Sequence, residues 1–228
     1  MSVSEDRTVQ PATVPAPVSS LADPAPLGLA AFALTTFLLS AKNADWMSHA
    51  TGSAWLGYAL AYGGVAQFAA GMWEFRRGNT FGATAFSSYG AFWFGTGLWI
   101  LLVVNPAVAG IAKAPATAGA TVASINHDLG WIALAWAIFT LYMLIFTSQV
   151  NLAIFLTFLF LEVTFIILAI GNFDAGTALV PTGTIKIGGY LGLVTALLAW
   201  YASAAGVGAG MGGRILFPVG RPLIKARV

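Results

Sequence analysis

Residues 152–170 read LAIFLTFLFLEVTFIILAI, a run in which the one charged residue is Glu162. About 20 predominantly apolar residues in helical conformation cross the hydrocarbon core of a bilayer. The run is apolar all round and not along one stripe, which is the pattern of a helix surrounded by lipid or by other apolar helices. It reads as a membrane-spanning helix. Five more stretches of the same kind stand at 26–41, 54–73, 85–104, 129–147 and 187–207. The chain is therefore expected to be an all-α integral membrane protein with six transmembrane helices.

Composition agrees with that class. Of 228 residues, 58% are hydrophobic and 8% charged, against roughly 25% charged in soluble domains. With no cysteine, neither a disulfide framework nor a thiolate metal site can form. A formal charge of +2 is too small to suggest a nucleic-acid partner. Residues 1–22, rich in Pro, Ala, Ser, Thr and Val, read as a disordered cytoplasmic tail without the basic and apolar regions of a secretory signal. Residues 23–213 form the six-helix transmembrane domain, and 214–228 a basic, solvated cytoplasmic tail. Gly78-Asn79, Asn105-Pro106, Gly171-Asn172 and Pro181-Thr182-Gly183 are expected to separate the helices.

Lys and Arg placement sets the orientation. With the N-terminus inside, Arg7, Arg76, Arg77, Arg214, Arg221, Lys225 and Arg227 are cytoplasmic, while Lys42, Lys113 and Lys186 lie outside. Seven against three favours a multi-pass protein of the cytoplasmic (inner) membrane with both termini inside. Small residues at 188–192 and 205–208 suit close helix packing, within or between subunits.

No grouping of His, Asp, Glu, Ser or Lys has catalytic or metal-binding spacing, so neither an enzyme nor a cofactor is expected. His49, and His127 beside Asp128, fall near the proposed outer loops. There His127 would cap helix four, sense external pH or simply be solvated. A retinal-type pigment needs a lysine deep within a helix for its Schiff base, and all three outer lysines flank helices. Glu162 sits mid-span with no Lys or Arg at matching depth, which makes it a candidate for proton coupling or for a packing hydrogen bond to a nearby Ser or Thr.

The first helix opens Asp23-Pro24-Ala25-Pro26-Leu27-Gly28. Asp suits an N-cap and Pro the first turn, while the free N–H groups there could also bind a carboxylate group. Gln67 and Glu74, seven positions apart, share a face of helix two. Glu74 reads as an interfacial partner of Arg76 and Arg77, and Gln67 as a cargo-binding or helix-tying group.

Residues 62–93, YGGVAQFAAGMWEFRRGNTFGATAFSSYGAFW, together with APLGL at 25–29, resemble the two signatures of the acetate uptake transporter family, the succinate-acetate permease type. Members of that family open the first signature with Asn, where this chain has Asp23. The resemblance implies a homohexamer of six-helix protomers, each with its own path for acetate or a similar short carboxylate. It also implies a constriction formed by Phe32, Tyr89 and, counting back from Gly171-Asn172, Leu161. Within that resemblance Pro24, Ala25, Pro26, Leu27, Gly28, Gln67, Asn79, Thr84, Ser87 and Ser88 are the candidate substrate-binding residues. The Tyr89 phenol would donate a hydrogen bond to a passing carboxylate. A carboxylate sensor without flux and a membrane-embedded enzyme are the other classes compatible with the chain.

Overall fold

The computed structural model describes residues 21–48, 53–213 and 217–224. The expected N-terminal tail, His49, Arg7, Arg214, Lys225 and Arg227 lie outside the described residues. Six continuous helices occur among them: α1 Ala25–Asn43, α2 over 55–77, α3 Thr80–Ile111, α4 Ala118–Thr147, α5 Leu152–Asp174 and α6 Gly183–Gly210. All but α2 meet the length and composition for crossing a membrane, with mean hydropathy from 1.4 to 2.6. Helix α2 is α-helical at Trp55–Tyr58 and Gln67–Arg77 and π-helical between, at Ala59–Ala66. At about 1.5 Å per residue it too is long enough to span, at roughly 30 Å.

Polar residues that end helices in a soluble protein are absorbed into these. Asn105-Pro106, expected to close helix three, lies inside α3 because a π turn at Ile100–Val104 precedes it. The wider turn accommodates a residue that lacks an N–H and crowds the carbonyl four positions back. Helix α4 begins eleven residues before the expected Leu129, so His127 and Asp128 are helical and not in a loop. His127 instead accepts a 3.3 Å hydrogen bond from Trp131 Nε1 and packs on Phe173. Asn172 also stays in helix, its Nδ2 donating to Leu168 O at 2.7 Å.

The caps are set by local chemistry. Gly78 takes the left-handed conformation (φ 76°) that ends α2, with its N–H on Phe75 O and that of Asn79 on Glu74 O. Asn79 then caps α3 by accepting from Gly82 N, and Asn151 caps α5 by accepting from Ile154 N. The adjacent free donor, Ala153 N–H, reaches Val219 O at 2.9 Å. Ser148 O accepts from Leu223 N and Ile224 N, and Tyr201 Oη donates to Pro218 O. Residues 217–224 are therefore docked on the bundle, which corrects the reading of this part of the C-terminal segment as a free solvated tail.

Helix α6 lies along α1 on one side and α5 on the other, α5 packs on α4, and α2 on α3. Glycine makes the first contact possible. A Cβ at Gly189 would overlap the backbone of Asn43 and Ala44, one at Gly192 would overlap Ser40 Oγ, and one at Gly206 would lie 2.8 Å from Pro26 Cγ. Lipid supplies no hydrophobic drive between helices, so such close approach has to hold them. The Gly189→Val substitution is expected to destabilise the folded protein by about 1–3 kcal/mol, as overpacking does. Gly95→Ala, at a site with nothing within 4 Å, should be neutral or stabilising by up to about 1 kcal/mol through helix propensity. Thermal unfolding in detergent distinguishes the two.

Candidate functional site

Four cavities follow one another through the bundle and share walls. The first, about 720 Å³, lies at the Asp23 end between the start of α1, Asn79, Asn151 and the docked Phe217–Gly220 stretch. Leu29, Phe81, Phe86 and Ile154 separate it from a second cavity of about 40 Å³. Phe32 and Leu161 separate that one from a third, about 140 Å³, whose wall includes Thr36, Trp55, Trp93 and Asn172. Lys42, Ile100 and Leu129 stand between the third and a fourth of about 680 Å³ at the opposite end.

The smallest cavity brings Phe32, Tyr89 and Leu161 together, with the Phe32 and Tyr89 rings 5.7 Å apart. All three are nearly buried. Since a water molecule takes roughly 30 Å³ in the liquid, this space holds one or two. Tyr89 is wedged among Trp136, Phe139 and Phe158. Its Oη lies 2.9 Å from Thr140 Oγ1, and Thr140 lies 2.7 Å from Trp136 O. The single Thr140 proton goes to that carbonyl, so Tyr89 is the donor to Thr140. In this arrangement its O–H is directed to Thr140 on α4. Gln67, 1% exposed, lines the same cavity, and its Oε1 has no hydrogen-bond partner among the described residues. It directly follows the π-helical segment, whose extra residue per turn changes the phase at which the next α-turns present their side chains.

At the Asp23 end, Pro24 is the N-cap and Asp23 stands one position before it. Asp23 Oδ1 accepts from Ala25 N at 3.1 Å and pairs with Arg77 at 2.5 Å. The carboxylate that distinguishes this chain from the family signature is thus both capping and neutralised. Glu74, which the sequence suggests as a partner of Arg76 and Arg77, is buried instead and accepts from Asn79 Nδ2 at 2.9 Å.

The other candidates divide. Ala25, Pro26 and Asn79 line the first cavity. Gly28 is where α1 meets the Phe86 ring, since an added Cβ would lie 2.6 Å from it. Pro24 is buried beside the cavity wall without forming part of it, and Leu27 points outward at 45% exposure. Thr84 lines a lateral groove between α3 and α4, Ser87 packs against Gly71, and Ser88 lines none of these cavities. Glu162 is 6% exposed, has an Oε2 without a partner among the described residues and lines none of them either. Its neighbour Leu161 does, as the turn of about 100° per residue requires. Sequence reasoning missed Leu29, Phe81, Phe86 and Ile154, the second apolar partition, and Lys42. Spacing held the signal: Ala25, Leu29, Phe32, Thr36, Leu39 and Asn43 recur at three- and four-residue intervals on one face of α1.

The model of the GPR1/FUN34/yaaH family matches residues 6–218. Acetate permease A of Emericella nidulans is 41% identical over 201 residues, covering 87% of this chain. The chain spans 65% of that relative's length. The succinate-acetate/proton symporter SatP of Escherichia coli K12 is 36% identical over 202 residues, covering 89% of this chain and 97% of that protein. The solved structure of the bacterial acetate channel SatP superposes with a TM-score of 0.72 at 35% identity, covering 88% of this chain and all of that one.

The Tyr89–Thr140 bond makes an asymmetric forecast. Tyr89→Phe removes one hydrogen bond and is expected to cost about 1 kcal/mol, whereas Thr140→Val strands a buried phenol and should cost about 1–3 kcal/mol. In the double variant the loss should fall short of the sum, because the pair is one interaction. Thermal unfolding of the three variants in detergent checks this.

Proposed function

The chain belongs to the GPR1/FUN34/yaaH family, and on that premise we propose that it passes acetate and related short carboxylates across the cytoplasmic membrane through a path inside each protomer. The observation that carries this reading is the file of cavities, wide at both ends and narrowing in the middle to about 40 Å³ of space lined by Phe32, Tyr89 and Leu161 among others. The names of the relatives, an acetate permease and a succinate-acetate/proton symporter, support the cargo.

The chemistry requires such a path. A simple carboxylic acid resembles Glu, with a pKa of about 4.3, so at neutral pH only about one molecule in several hundred is uncharged. Moving the anion unpartnered into an apolar medium costs on the order of tens of kcal/mol. A short apolar partition between wet cavities limits that cost to a few ångströms of travel. It also closes by dewetting against hydrated metal ions.

In this reading Arg76, Arg77 and Arg221 mark the cytoplasmic face, at the Asp23 end, and Lys42, Lys113 and Lys186 the outer one. The homohexamer belongs to the same proposal and rests on the family resemblance. Glu162, set off the cavity file, would couple transport to protons through a neighbouring helix or subunit and not by touching cargo.

Purified protein in liposomes with labelled acetate tests the reading. Flux of unaltered acetate is expected, whereas a sensor binds without flux and an enzyme changes the substrate. Phe32→Ala and Tyr89→Ala should each change acetate flux or selectivity while the protein still assembles; normal flux in both would remove the constriction assignment. Uptake measured against pH should lose its pH dependence in Glu162→Gln, and an unchanged profile excludes a coupling role. A voltage response without proton uptake identifies a channel, and internal pH change in step with flux a symporter.

A further inference from the structure

We propose that Lys42 is the residue that recruits cargo by its negative charge, at the joint between the two cavities on its side of the constriction. This rests on the carboxylate path proposed above and names a specificity determinant within it. Lys42 occupies the last turn of α1 and lines both the 140 Å³ cavity and the 680 Å³ cavity. An anion moving between them passes its ammonium.

Three features make that ammonium available. Its Nζ lies 5.7 Å from the ring centroid of Trp55, a fully buried side chain. A ring face holds a cation by its quadrupole without cancelling the charge, as a carboxylate would. Among the described residues no Asp or Glu lines either cavity. The acid nearest in sequence, Asp45, is paired with Lys186 Nζ at 2.6 Å. The far end of the file is different, since Asp23 and Glu74 both line the first cavity.

The 140 Å³ cavity adds a second, independent feature. Thr36 Oγ1, Trp55 Nε1 and Trp93 Nε1 are buried in its wall, and none has a hydrogen-bond partner among the described residues. Buried polar atoms are nearly always paired, so these are donors that a water or a ligand group in the cavity would satisfy. Indole N–H groups can only donate and a hydroxyl can donate, which matches an acceptor-only carboxylate. A cation at the rim and donors in the wall form a carboxylate subsite on the Lys42 side of Phe32 and Leu161.

The test uses the full chain in liposomes and two labelled solutes of the same shape, acetate and neutral acetamide. Lys42→Met keeps an unbranched stem over Trp55 and removes the charge, Lys42→Arg keeps the charge, and Lys42→Gln serves if the Met variant does not assemble. Loss of a charge-assisted contact is expected to raise the half-saturating acetate concentration at least about tenfold. It should also lower the acetate-to-acetamide flux ratio by a similar factor and flatten the dependence of acetate flux on ionic strength. The Arg variant should stay within about threefold of the parent. An unchanged ratio and half-saturation in the Met or Gln variant overturns the proposal, and so does an equal loss for both solutes, which would mean a packing role. Should the parent carry no acetate, the path reading fails by itself. Lys42 is then judged by acetate quenching of tryptophan fluorescence in detergent: a roughly tenfold weaker response in the variant upholds the subsite and equal quenching rejects it.

Discussion

The seating of α1 on α6 is the contact on which the rest of the structure depends. Helix α1 contributes wall to every cavity in the file, through Pro26 and Leu29 at one end, Phe32 in the middle, Thr36 and Ser40 beyond it and Lys42 at the other end. Its position is fixed by contacts that need the missing side chains of Gly189, Gly192 and Gly206. Within a bilayer the apolar surfaces of helices gain little by leaving lipid, so fit and close approach have to supply the specificity. A shift of α1 by even one methyl group's width would move both the partitions and the polar walls, because they are carried on one rigid element.

The pairing of α2 with α3 follows the same logic and gives the signature stretch a physical reading. A Cβ at Gly63 would lie 2.9 Å from Trp93 Cγ on α3 as well as 2.6 Å from Thr35 Oγ1 on α1, and one at Gly90 2.7 Å from the Phe68 backbone nitrogen. Gly71 meets Ser87 in the same way. Thr35 donates to Ala31 O, which leaves its oxygen facing the π-helical segment of α2. Much of that stretch is therefore packing, including Ser87, whose hydroxyl the sequence alone suggests as a cargo contact. What it delivers to the smallest cavity is Gln67 from one helix and Phe81, Ala85, Phe86 and Tyr89 from the other.

The spans were legible because run length and the near absence of charge are decisive in a membrane. Their ends were not, since Asn105, Pro106 and Asn172 disfavour helix in water but are accommodated here by a π turn or by a side-chain bond to the backbone, and the polar His127 is held in α4 beside Trp131 and Phe173. That Phe32, Tyr89 and Leu161 meet at one small cavity was legible through motif context and, for Leu161, through its register with Gly171-Asn172. The partner of the Tyr89 phenol was not, because Thr140 lies 51 positions away on another helix. Lys42 reads as an ordinary flanking charge until Trp55 and the two cavities are placed around it. The roles of Leu29, Phe86 and Ile154 were hidden for the opposite reason: in an apolar helix a partition residue looks like any other.

Two apolar partitions, and not one, shape the proposed path. Between Leu29, Phe81, Phe86 and Ile154 on one side and Phe32 and Leu161 on the other lies a cavity of about 40 Å³, too small to carry a hydrated anion. The polar residues in its wall are Gln67, Tyr89 and Thr157. Tyr89 gives its proton to Thr140, and Thr157 gives its own to Ala153 O at 2.8 Å. Among the described residues Gln67 is left as the one polar side chain there with an unpartnered atom. An amide offers either its oxygen or its NH₂ with a flip about one bond, so the same side chain serves a carboxylate or a carboxylic acid. Within the proposed path Gln67 itself thus favours neither charged nor neutral cargo. That choice falls to the ends, where one side presents a cation and indole donors and the other presents carboxyl groups tied to Arg77 and Asn79.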